Sequence, residues 1–93
     1  MAFTIRIELH NANSTHYADL ARKLAGVNIT DVVRGDDGVN YKMPPGEYNY
    51  EPSADINNVR QTCAGIAASV VPSYAVYVTQ GEVRAWIGLQ AAR

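Results

Sequence analysis

Arg6, Glu8 and His10 alternate with Ile5, Ile7 and Leu9 near the start of a 93-residue chain. A guanidinium, a carboxylate and an imidazole at a spacing of two fall on one face of an extended strand, with the apolar residues on the other. The unperturbed imidazole titrates near neutral pH, so His10 is a candidate general base toward a ribose 2'-hydroxyl, with Glu8 or Arg6 as the charge-handling partner. Tyr77, Arg84 and Trp86 form a second candidate set. Aromatic rings beside guanidinium groups hold single-stranded RNA by stacking and phosphate contact. Each set also has an ordinary reading. Arg and Glu neighbours recur on solvated sheet faces, a lone histidine at a strand end is commonly solvated or capping, and an outer-strand tryptophan commonly packs a loop or a dimer.

Other chemistries find less support. Glu8, His10 and His16 match no compact ligand pattern, and Asp36-Asp37 lies where a turn favours aspartate, so no metal site is expected. There is no Gly-x-Ser-x-Gly elbow, Walker loop or dinucleotide fingerprint, and no cofactor is expected. The only cysteine, Cys63, falls in a helical apolar stripe, which excludes an internal disulfide and argues for an inert thiol.

The elements that must position these residues can be read in order. Phe3–His10 is a strand. Asn11–Thr15 is a polar turn that caps a helix starting near Ser14, whose stripe is Tyr17, Leu20, Ala21 and Leu24 and whose wet side pairs Asp19 with Lys23. Gly26 is expected to end it in a left-handed cap. Residues 28–34 and 39–43 read as hairpin arms around Gly35-Asp36-Asp37-Gly38, with Val39, Tyr41 and Met43 on a buried face. Pro44-Pro45 interrupts pairing, and Glu47–Glu51 reads as an edge, a loop or an arm onto a second subunit. Ile56, Val59, Cys63, Ile66, Ala67 and Val70 mark a second helix, bounded by Pro52-Ser53 and Pro72.

Tyr74–Thr79 and Val83–Gly88 then read as strands joined at Gln80-Gly81, with Tyr77 opposite Arg84 and Ala75 opposite Trp86. The order βαββαββ predicts an α+β fold of one domain over residues 1–93: a ferredoxin-like two-layer sandwich with two helices on one face of an antiparallel sheet and the first strand central. The last strand either extends that sheet or pairs across a dimer.

Eight Lys and Arg against nine Asp and Glu give a net charge of -1, and the pI is about 6.0. That balance argues against strong nonspecific nucleic-acid binding and leaves a local RNA patch open, doubled if two copies associate. No apolar run approaches membrane-spanning length and no signal segment is evident, so a cytoplasmic protein without membrane or DNA partners is expected.

The sequence resembles the GhoS-like family, endoribonuclease antitoxins of type V toxin-antitoxin systems. The resemblance rests on Thr4–His10, on Asp36-Asp37-Gly38 followed by Tyr41 and Pro44, on Glu47-Tyr48-Asn49-Tyr50, and on Arg84–Leu89. It spans nearly the whole chain and is closest to members without an assigned activity. It implies a ferredoxin-like domain related to small CRISPR adaptation nucleases, and cleavage of the messenger RNA of a membrane-damaging peptide toxin. Relatives of the nuclease group carry an acidic residue near the end of the first strand, where this chain has Glu8 and His10. Two functional classes therefore stand: an endoribonuclease antitoxin, and a noncatalytic homodimeric module binding RNA or protein.

Overall fold

In a computed structural model of the chain, which describes residues 2–81 and 83–92, alternation in the first strand decides where the core lies. Phe3, Ile5, Ile7 and Leu9 of β1 (Phe3–Leu9) are buried, while Arg6 and Glu8 are exposed. Helix α1 (Ser14–Ala25) begins at Asn13, whose side chain accepts from the backbone of Thr15 and His16 while His16 Nδ1 accepts from the Asn13 N–H. This reciprocal cap satisfies donors that the first turn would otherwise leave bare. Leu20 and Leu24 are fully buried, and Asp19 pairs with Lys23 at 3.4 Å. Gly26 does not take the left-handed cap. It stays helical at φ -63, and Asn28 makes the reversal at φ 64, a conformation that asparagine tolerates better than most residues.

Strands β2 (Val32–Arg34) and β3 (Asn40–Lys42) form the expected hairpin, paired Val33 to Tyr41. Its arms are shorter than the sequence suggests. Thr30 exchanges two backbone hydrogen bonds with Asn49, at 3.0 and 2.6 Å, instead of joining the hairpin, and Val39 remains exposed while Met43 is buried. Residues 47–50 form a regular strand, β4 (Glu47–Tyr50), paired antiparallel to β1 from Phe3–Tyr50 to Arg6–Glu47. Helix α2 (Ile56–Ala68) is capped by Asp55 and buries Val59, Cys63 and Ala67; β5 (Tyr74–Gln80) pairs along the whole of β1.

The observed order is thus βαβββαβ, with β4, β1 and β5 adjacent in that sequence and the β2–β3 hairpin a separate two-stranded sheet. The first strand is central, as expected. Leu20 and Leu24 of α1 and Val59, Cys63 and Ala67 of α2 join the inward residues of β1 in one apolar core. Both helices therefore cover the same sheet face.

The expected strand Val83–Gly88 does not form, and neither does its pairing of Tyr77 with Arg84 or of Ala75 with Trp86. Two physical reasons are visible. Val83 and Ile87 are 100% and 96% exposed, so their apolar alternation finds no core to enter. Arg84 instead engages a buried amide across the sheet, and charge-assisted hydrogen bonds outweigh the modest gain of an edge pairing. The segment continues to the hairpin, where Gln90 accepts from the Lys42 N–H and Ala92 donates to Asn40, each at 2.8 Å.

Candidate functional site

The pairing of β1 with its two neighbours lays out the face opposite the helices row by row. Thr79, Thr4 and Asn49 make one row, Tyr77, Arg6 and Glu47 the next, and Ala75 lies beside Glu8. His10 follows on the same face. Its backbone N–H donates to Ser73 at 3.0 Å, continuing the β1–β5 ladder by one residue.

His10 is held at both ring nitrogens. Nδ1 is 2.7 Å from the Ser73 hydroxyl and Nε2 is 3.2 Å from Glu8 Oε1. A ring protonated at Nε2 alone donates to Glu8 and accepts from the serine; a ring protonated at Nδ1 alone donates to the serine and turns its Nε2 lone pair toward the Glu8 carboxylate. The Glu8 and His10 side chains are 63% and 42% exposed, so a ligand can reach this cluster from solvent. Arg6 approaches Glu47 at 3.7 Å and remains 65% exposed, beside a Tyr77 that is 71% exposed. Four of the six candidate residues thus share one sheet face: Glu8 beside His10, and Tyr77 opposite Arg6 two rows further along the strand.

Arg84 and Trp86 lie elsewhere. The Arg84 guanidinium donates to Asn49 Oδ1 at 2.7 Å, makes a long 3.5 Å contact with Thr4 Oγ1, and faces Glu51 at 3.4 Å. Thr4 and His10 are six residues apart on one strand line, about 20 Å at the usual rise, so Arg84 and His10 cannot act on one phosphodiester. Trp86 packs against Tyr41 with ring centroids 5.8 Å apart. Both line a cleft of about 880 Å³, together with Arg34, Asp36, Asp37 and Arg84. Hydrogen bonds from the Tyr41 hydroxyl and the Val39 N–H hold the Asp37 carboxyl below its ordinary range.

Ser73 and Asn49 are the residues that sequence reasoning missed. Ser73 follows Pro72 in what reads as a helix exit, and only the β1–β5 register puts it opposite His10. Asn49 carried a better signal, as a polar residue between Tyr48 and Tyr50 in an extended run. Cys63 is fully buried in α2, and desolvation pushes its thiol up to about 11, which leaves it no nucleophilic role. Among the described residues no group of three or more His, Cys, Asp or Glu side chains is placed to hold a metal ion, and no helix is long and apolar enough to cross a membrane. No family model and no curated protein sequence matches the chain.

Proposed function

We propose that this protein is an endoribonuclease of the GhoS-like antitoxin type, acting on single-stranded RNA at the open face of β1. The observation that carries this reading is His10 held between Glu8 and Ser73, on the sheet face that also carries the exposed Arg6 and Tyr77. With its proton on Nδ1 and donated to Ser73, the ring offers Nε2 to a ribose 2'-hydroxyl once the exposed Glu8 side chain turns aside. The 2'-oxygen attacks the adjacent phosphorus as its proton passes to Nε2. The bond from phosphorus to the 5'-oxygen breaks, water protonates that oxygen, and the products are a cyclic 2',3'-phosphate and a 5'-hydroxyl end. Arg6, about 13 Å along the strand from His10 at the usual rise, holds a neighbouring phosphate of the same RNA strand rather than the reacting one. Tyr77 supplies a face on which a neighbouring base stacks.

The resemblance also supports a ferredoxin-like reading of the fold. The central β1 is consistent with it, as is the Thr30–Asn49 bridge, which lies on the outer side of β4, where a fourth strand would pair.

A noncatalytic RNA-binding module is the second reading, favoured by the pairing of Arg6 with Glu47 and of Arg84 with Glu51, which leaves less positive charge for phosphate. Labelled single-stranded RNAs incubated with wild type and His10→Ala, purified side by side with and without EDTA, separate the two. Cleavage that survives EDTA and disappears in the variant supports the nuclease. Intact RNA with both proteins, or equal cleavage by both, overturns it, and binding without cleavage moves the module into first place.

A further inference from the structure

We infer that the outer edge of β5 is the interface through which two copies of this chain pair, antiparallel, about a twofold axis at Tyr77. Among the described residues no strand pairs with that edge: β5 has β1 on its other side, and the segment from Val83 reaches Asn49 of β4 through Arg84 and β3 through Gln90 and Ala92. The direction of its backbone groups follows from the ladder. Ser73 accepts from His10 and Gly81 donates to Ala2, so the odd-numbered residues of this line face β1. The even-numbered Val76 and Val78 therefore turn their N–H and C=O groups outward.

The sequence of this strand is close to self-complementary about its centre. With Tyr77 on the axis, Val76 of one copy lies opposite Val78 of the other, and Ala75 opposite Thr79. Parity is right on both counts. Val76 and Val78 form an outward hydrogen-bonded pair with both side chains on the helix-covered face, and the two Tyr77 residues form a non-hydrogen-bonded pair on the open face. Val76 and Val78 pack against the core yet are only partly buried, because their strand is at the sheet edge. A second copy completes their burial.

Charge favours the same occupant. β5 carries no charged residue at any position, whereas edge strands that must stay unpaired commonly carry lysine, proline or a bulge. The nearest like charges brought into one row are the two Arg6 side chains. They lie three strand spacings apart, about 14 Å, beyond the Debye length at physiological salt, and each has Glu47 on its far side. The result is one continuous sheet of six strands.

Sedimentation equilibrium of the full chain, from about 10 µM to about 1 mM, combined with cysteine placement tests this pairing. The wild-type mass should rise with concentration toward twice 10.1 kDa. Tyr77→Lys, at an exposed position that leaves the core untouched, should remain monomeric with an unchanged circular dichroism spectrum. Tyr77→Cys should oxidise to a disulfide-linked dimer, because a non-hydrogen-bonded antiparallel pair has the separation that a disulfide needs. Ala75→Cys alone should not cross-link, whereas a mixture of Ala75→Cys and Thr79→Cys should join one to the other. A wild-type mass that stays at 10.1 kDa throughout, a dimer indifferent to Tyr77→Lys, or cross-linking without this register overturns the inference.

Discussion

The Arg84 guanidinium meets the buried Asn49 side-chain oxygen at 2.7 Å, across 35 residues of sequence. This bond ties the segment after β5 to the edge strand β4, and it explains why that segment crosses the sheet instead of returning along β5. Asn49 is otherwise satisfied by its own donors, to Val32 O at 3.3 Å and to Glu51 at 2.8 Å. Among the described residues its oxygen depends on Arg84.

Arg84→Ala should therefore cost about 1–3 kcal/mol, the usual penalty for leaving a buried acceptor without its partner. Urea unfolding gives the magnitude. Hydrogen exchange should locate the effect, with faster exchange at the Lys42 and Ala92 amides, whose bonds to Gln90 and Asn40 hold the segment on the hairpin. Unchanged exchange at both amides would show that the segment is anchored without Arg84.

Ser73→Ala tests the arrangement around His10. Loss of the hydroxyl at Nδ1 removes the group that orients the ring, so RNA cleavage should fall by about 10-fold, part of the roughly 100- to 10,000-fold that a positioned general base contributes. Ser73→Thr should restore part of the loss while alanine does not. Because Ser73 is exposed, thermal stability should barely change, which separates positioning from folding.

Gly46 has φ +83, and an added Cβ would lie 3.2 Å from the carbonyl oxygen of Ile7. Its own carbonyl accepts from the Ile7 N–H at 2.9 Å, continuing the contact between β4 and β1. Gly46→Ala should destabilise by about 1 kcal/mol or more, since a side chain is strained in this region of the backbone. The denaturation midpoint should shift without a change in slope.

Alkaline pH should weaken the fold through Cys63 and Tyr48. Burial pushes the Cys63 thiol up to about 11 and the Tyr48 phenol to about 12. Both groups hold their protons more tightly folded than unfolded, so stability is complete below the ordinary values, near 9 and 10. It declines as pH rises through the window up to the raised values. Unfolding midpoints from pH 8 to 11 should show this decline, and Cys63→Ala should remove its earlier part. Thiol labelling at pH 8 should be slow in the native protein and rapid in urea.

Much of the scaffold was legible in local pattern. The period of two in Phe3–Leu9 and the stripes ending at Leu24 and Val70 specify which faces are buried, because a strand or helix that turned the wrong way would expose a whole apolar row. The capping turn Asn11–Thr15 and the Gly35–Gly38 turn were equally local. The cluster of Arg6, Glu8 and His10 followed from the same alternation.

The rest depends on contacts between distant residues. Whether Glu47–Tyr50 is a strand or an arm is settled by its pairing with β1, and Ser73 meets His10 only because β5 takes one register rather than another. Val83–Gly88 has the alternation of a strand, yet alternation stabilises a strand only where a core exists to receive its apolar side, and none lies beside Val83 or Ile87. There the buried oxygen of Asn49, a feature of the assembled sheet, decides the path of the chain by capturing Arg84. Local pattern determined which face of each element is apolar; tertiary structure decided which polar groups had to be satisfied across the sheet, and so which candidate residues share a site.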